Sequence, residues 1–318
     1  MIWSQSDGAA GEVRAGAAGQ ATRDMPREPR DPDDPYFGLR RAVLDAVTRD
    51  RRAAGVAPVE YDALCSQVED AHCLELAEVQ YLSHWNQRGE LPYHRYHAAG
   101  GRDYVAENVS RTTVISLDPN PIPTDPEGLL PMALGAHQRM VDERPPLDGH
   151  RQNILDPMHT HLGVGLAVVG GEFVLGQLFL NRYVRLGPLP ELLPGSGSFR
   201  VEGEVLANGW GPYYCAVFYE GELRPRTAAE LEKTYAYEDM TGTTIQKIPP
   251  WEMQFNASSR RCSFTVRVNP RAEGLYHLVM WVSRPARDIP YTLTGPGAYS
   301  VDTSKAAPCA SWVFRDKG

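Results

Sequence analysis

Nowhere does the chain approach the roughly 18 uninterrupted apolar residues that a membrane-spanning helix needs. It also lacks a basic character. Lys and Arg total 32 against 40 Asp and Glu, a net charge of −8. That balance excludes a phosphate-binding surface of the nucleic-acid type, which needs a basic face. The start, MIWSQSDGAAGEVRAGAAGQ, has no basic region followed by an apolar one, so no signal peptide is recognisable. Cysteine is scarce: Cys65, Cys73, Cys215, Cys262 and Cys309 are odd in number and show no metal-binding spacing. Cys65 and Cys73 stand about 12 Å apart along a helical pattern, too far for a bridge. Cys215 and Cys262 fall in separate strand-like runs, which leaves that one bridge open. A nucleophile is lacking too, since neither Ser83 nor Ser110 sits in a nucleophile-elbow context.

With 318 residues, the chain is too long for a typical single core and predicts two domains plus a tail. Residues 1–34 are rich in Ala, Gly, Pro, Arg and Asp and cannot bury enough apolar surface to offset chain entropy, so they read as a disordered or partner-draped tail. Asp34-Pro35 suits a helix start, and Tyr36, Leu39, Val43 and Val47 recur at helical spacing up to Gly55. A second helix is expected from about Asp62, with Leu64, Val68, Ala71, His72, Leu76 and Val79 inward and Gln67, Glu69, Asp70 and Glu78 outward. A third runs from Glu127 to Glu143 and stops at Pro145-Pro146. Two apolar strand runs then flank Gly170-Gly171, a hairpin signal. GPLPELLPGSGS over 187–198 reads as a linker between separately folded units. Beyond it FRVEGEVL, YYCAVFYEGEL, CSFTVRV, GLYHLVMWV and ASWVF predict a β-sandwich, with a short helical stretch near Thr227. Gly274-Leu275-Tyr276 has the form of a tyrosine corner, and Tyr276, Trp281 and Trp312 are expected in that core.

Eight of the nine histidines lie between His72 and His161, so a His-dependent site belongs to the first domain. His84 follows the second helix in YLSHWN, Glu107 sits in VAENVS, Glu143 closes the third helix, and His150 opens GHRQNIL. Each stands at the edge of a regular element. His94 with His97, and His159 with His161, have spacings that would suit metal, but the plainer reading is solvent-facing loop histidines. Within GHRQNIL, Asn153, Ile154 and Leu155 read as structural, while Gly163 and Gly165 allow a neighbouring backbone to come close.

The order Ser-His, Glu-Asn-Val, Gly-His-Arg-x-Asn-Ile-Leu, Leu-Gly-Val-Gly resembles the CAP superfamily (cysteine-rich secretory, antigen 5 and pathogenesis-related proteins), in particular its bacterial SCP-like branch, over residues 36–184. The resemblance implies a three-layer α-β-α sandwich with a cleft lined by His84, Glu107, Glu143 and His150. Ala106 replaces the usual Gly before Glu107, and Arg144-Pro145-Pro146 stands where relatives carry Trp and Ser. The expected organisation is therefore a tail (1–34), an α/β CAP-like domain (35–186), a linker (187–198) and an all-β immunoglobulin- or fibronectin-like sandwich (199–318).

The expected function is a non-enzymatic extracytoplasmic binding protein, secreted or periplasmic, which a longer precursor or another export route would reconcile with the start. The cleft would take a small ligand, a lipid or a divalent cation. No catalytic residue is assigned. The candidate metal set is His84, His150 and Glu107, holding Zn²⁺ or another divalent cation with an open water position; a carboxylate–imidazole hydrogen-bond network is the plainer alternative. Partners are expected to be protein, small ligand or lipid, at a membrane surface or in a complex, and not nucleic acid. Two other readings stay open: a structural subunit of a larger extracytoplasmic assembly with a vestigial cleft, and a metal-assisted hydrolase.

Overall fold

In the computed structural model the described residues are 34–118, 121–234, 236–237, 240, 242–269, 271–284, 291–295, 298–301 and 306–317. The tail expected over 1–34 lies, but for Asp34, outside them. Helix α1 (Phe37–Ala53) begins two residues later than the Asp34-Pro35 signal places it. Asp34 still serves its start, because its carboxylate accepts the Tyr36 N–H at 2.9 Å and binds Arg40 Nε at 2.7 Å. A short strand β1 (Glu60–Tyr61) leads to helix α2 (Ala63–Val79), where Asp62 caps the first turn by accepting from the Cys65 N–H at 2.8 Å. Helix α3 (Pro92–Ala98), strand β2 (Tyr104–Thr113) and helix α4 (Pro126–Val141) follow. GHRQNIL is itself a helix, α5 (Gly149–Leu155). The hairpin around Gly170-Gly171 joins β3 (His161–Val169) to β4 (Glu172–Asn181).

These strands form one sheet in the order β1-β3-β4-β2, so β2 is an edge. On one face Leu39, Val43, Leu129, Met140 and Ile154 of the helices α1, α4 and α5 pack on Leu162, Val164, Phe173, Leu175 and Phe179. On the other lies α2, held close by glycine. A Cβ at Gly163 or Gly165 would run into the backbone of α2 at Cys65–Ser66 or Glu69–Asp70. The first half is thus the expected three-layer α/β unit, and its helix order follows the sequence periodicity closely.

The second half contains β5 (Val184–Leu186), β6 (Ser198–Val205), β7 (Gly211–Gly221), the single-turn helix α6 (Ala228–Leu231), β8 (Thr243–Ile248), β9 (Gln254–Asn256), β10 (Arg261–Arg267), β11 (Gly274–Ser283), β12 (Tyr291–Gly295), β13 (Ala298–Val301) and β14 (Ala306–Asp316). Two four-stranded sheets, β5-β6-β10-β9 and β14-β11-β7-β8, enclose Val201, Phe264 and Val266 against Val217, Tyr276, Leu278, Met280 and Phe314; β12 and β13 form a separate hairpin. The Tyr276 hydroxyl donates to the Ala272 carbonyl at 2.7 Å and accepts the Ala272 N–H at 2.8 Å, as a tyrosine corner requires. Trp312 is buried in this core as expected, whereas Trp281, also buried, belongs to a separate cluster with Tyr214, Phe218 and Val279.

Three expectations need correcting. First, β5 pairs with β6, so the first unit does not run to 186. Nor is 187–198 a free spacer: Leu193 N–H donates to Arg315 O at 2.8 Å, Arg315 N–H to Glu191 O at 2.8 Å, and Trp312 Nε1–H to Pro190 O at 3.1 Å. Second, the halves share a core. Leu275 and Val313 pack with Cys65, Val68, Leu91, Tyr93, Leu178 and Leu180, and β11 is buried on both faces as a result. Third, all five cysteines are free and buried, so Cys215 and Cys262 are not joined. Among the described residues, no helix is long and apolar enough to cross a membrane.

Candidate functional site

The loop after α2 turns at Gln80, whose positive φ ends the helix, and carries Ser83 and His84 to the outer edge of the sheet. There the His84 Nδ1 meets Glu107 Oε2 at 2.7 Å. An ionised carboxylate only accepts, so Nδ1 is the donor of this bond. The other Glu107 oxygen accepts a short hydrogen bond from Arg95 Nη2 on α3. Arg95 Nη1 also donates to the His84 and Glu90 carbonyls, at 2.8 and 3.1 Å, so one guanidinium fixes both the loop and the carboxylate. Burial alone would push the Glu107 carboxyl up; the Arg95 charge, with His72 and His84 beside it, outweighs that and holds it well below the usual range.

Behind this pair stands a group the sequence reading did not place. Glu69 was expected on the outward face of its helix, but it is fully buried. Its carboxyl lies over Gly176 of β4, where any Cβ would collide with it. Neither of its oxygens has a hydrogen-bond partner among the described residues. Burial, with the Glu107 charge next, pushes its carboxyl well up and favours the neutral acid. His72 binds the Ser83 carbonyl through Nε2 at 2.9 Å, and burial, followed by the Arg95 charge, takes its imidazole down to about 3. The site on this face is therefore one anion, one guanidinium and a neutral acid, closed on itself. Glycine in the middle of a fully buried strand was the available signal for Glu69.

Glu143 and His150 form the second pair. His150 Nδ1 meets Glu143 Oε1 at 2.5 Å, and the His150 N–H donates to Glu143 Oε2 at 3.0 Å. The pair is tied to β2 by the residue following Glu107: Asn108 Nδ2 donates to the His150 carbonyl at 3.1 Å, and Asn108 Oδ1 accepts from Asn153 Nδ2 at 2.9 Å. Alternation along a strand sends Glu107 and Asn108 to opposite faces. The structure thus brings His84 to Glu107 and His150 to Glu143, with both pairs anchored on one edge strand. Their exposure differs. The side chains of His150 and Glu143 are 33% and 25% exposed, whereas Glu107 is fully covered.

The set His84, Glu107 and His150 does not make a three-ligand metal cage. Among the described residues no group of three or more His, Cys, Asp or Glu converges as one. The physical reason is visible at Glu107, whose two oxygens are already used by His84 and a guanidinium that repels a cation. His94 and His159 are buried, contrary to the solvent-facing reading. His159 bridges Asn181 Oδ1 and Asn153 Oδ1, at 2.7 Å each. His94 Nε2 meets Glu220 Oε2 of β7 at 2.9 Å, and the Tyr93 hydroxyl donates to Glu220 Oε1 at 2.5 Å. Those contacts bolt α3, which carries Arg95, to the second half.

Residues 44–179 match the model of the cysteine-rich secretory protein family, CAP. The chain therefore carries a CAP domain, followed by a β-rich region. Among solved structures it is similar to an extracellular protein containing an SCP domain from Bacillus anthracis, with 19% identity, 46% of this chain and 41% of that chain covered, and a TM-score of 0.35. It is also similar to an outer surface protein from Borrelia burgdorferi, with 14% identity, 46% and 94% covered, and a TM-score of 0.36. The alignment thus spans about two fifths of the first of these proteins. No curated protein sequence matches.

Proposed function

We propose that the protein is a binding protein acting outside the cytoplasm, and that its ligand is a small amphipathic molecule taken at the Glu143–His150 pair. The observation that carries this reading is the contrast between the two pairs. His84–Glu107 is consumed by internal bonds, whereas Glu143–His150 is partly open to solvent and Leu147, between them in sequence, is 82% exposed. A carboxylate–imidazole pair offers a hydrogen-bonding post for a polar head, and an exposed leucine offers apolar contact for a chain. The secretory family of the first domain agrees with a place outside the cytoplasm.

Calorimetric titration with fatty acids, lysophospholipids and ZnCl₂ tests this. Saturable binding of an amphiphile, weakened about tenfold or more in His150→Ala (about 1.4 kcal/mol), is the expected result. Turnover of an ester or peptide that disappears in Glu107→Gln would replace the reading with a hydrolase. A second reading, a subunit of a larger assembly, is favoured by Ile115 and Leu117, which are almost fully exposed. Light scattering and pull-down with Ile115→Ser/Leu117→Ser separate it.

A further inference from the structure

β7 and β8 are antiparallel neighbours, and a hairpin between them needs about two to five residues. The chain instead spends residues 222–242 on the connection and lays its described part across the first domain. Arg226 N–H donates to the Gln87 carbonyl at 2.8 Å, and its guanidinium sits 4.8 Å over the Trp85 ring. Thr227 and Glu230 close a reciprocal capping box around α6. That turn drives Leu231, fully buried, among Leu76, Tyr81, Val109 and Val174. Glu232 pairs with Arg111 at 2.9 Å, and Thr234 Oγ1 lies 2.7 Å from Ser83 Oγ. Tyr237 then reaches the site itself. Its ring is 4.7 Å from that of His84, and its hydroxyl accepts the Glu107 N–H at 3.2 Å.

We infer that the surface formed by Ser83–Gln87 and the outer edge of β2 is a peptide-binding groove, occupied in cis by residues 226–234 of the second half, with Tyr237 closing the His84–Glu107 pair. An edge strand exposes unpaired backbone N–H groups, and Glu107 N–H is one that a strand partner or a hydroxyl must satisfy. The occupant divides into a fully buried apolar anchor at Leu231 and an end at Tyr237 that is only partly buried, packed beside the Cys65, Val68 and Leu91 cluster and in ring contact with His84 and Trp85. Local opening starts where burial is least complete, so the partly buried Tyr237 end lifts while the fully buried Leu231 holds. Access to His84 Nε2 is then set by the second half, while His150 is reached independently. The inference concerns the His84–Glu107 pair and is independent of the proposed function, whose ligand is taken at Glu143–His150.

The test reads accessibility and needs no ligand. Histidine carbethoxylation of the full-length protein, followed residue by residue by mass spectrometry, compares His84 with His150. Tyr237→Ala is expected to speed modification of His84 about tenfold, the weight of a hydrogen bond and a ring contact, with His150 unchanged. Tyr237→Phe keeps the ring and the fold; it is expected to accelerate hydrogen exchange at the Glu107 amide with little change at His84. A synthetic peptide of sequence 224–240, added to Leu231→Ala/Tyr237→Ala, is expected to slow His84 again, and one with both residues replaced by Ala is not. Unchanged His84 reactivity in Tyr237→Ala, together with unchanged Glu107 exchange in Tyr237→Phe, would overturn the inference. So would equal acceleration of His84 and His150, which marks general loosening.

Discussion

Glu69 and Glu107 are the same residue type, both buried within one small cluster, yet the structure requires that replacing each by Gln have very different consequences. Glu107→Gln is isosteric but leaves the Arg95 guanidinium buried with neutral partners, because Arg95 is only 8% exposed and its other bonds go to carbonyls. Breaking a buried pair from one side costs about 3–5 kcal/mol, a large part of the roughly 5–15 kcal/mol that holds a domain folded. Glu69→Gln replaces an acid already favoured as neutral by burial and by the Glu107 charge, so its cost should stay below about 1 kcal/mol. Urea unfolding followed by circular dichroism at neutral pH measures both. The pH dependence supplies the sign check. The depressed Glu107 contributes stability above the ordinary carboxylate range and loses it as pH falls through its folded value, so the Glu107→Gln deficit should shrink in acid. The raised Glu69 favours the fold at low pH and opposes it as pH rises, so Glu69→Gln should gain on the wild type with increasing pH. Equal losses in the two variants at neutral pH would show that the charge is not localised on Glu107, and the account of the cluster would fall with it.

Other consequences are measurable in the same way. His72, held neutral down to about 3 against an ordinary 6.5, makes the unfolded state the better proton binder, so stability falls between those values, at most about tenfold in the folding equilibrium per pH unit. His72→Gln, which retains a donor to the Ser83 carbonyl, should flatten that limb; an unaltered acid profile would contradict the assignment. Gly165→Ala puts a methyl group into the backbone of α2 at Glu69–Asp70 and should cost about 1–3 kcal/mol or more, seen as a lowered urea midpoint with unchanged m-value. A neutral result there would mean that α2 can slide away from the sheet.

Helical periodicity over 37–53, 63–79 and 126–141, the hairpin at Gly170-Gly171 and the tyrosine corner were legible in the chain, because each rests on short-range spacing or a local motif, whereas His84, Glu107, Glu143 and His150 were legible only as candidates for one cleft and their pairing was not. Arg95 was not, since nothing in PYHRYH says that one guanidinium will span the loop at His84 and the strand at Glu107. Glu69 was assigned to solvent because helical phase predicts a face but cannot reveal that the sheet beneath contains a glycine gap. The linker composition pointed to separate units, whereas Leu275 and Val313 bury themselves against Val68 and Leu178. Tyr237 lies 130 residues from Glu107 in sequence and meets it only because a strand connection of the second half crosses the first. Periodicity reports which way a residue faces within its own element. What it faces is decided by the packing of elements distant along the chain.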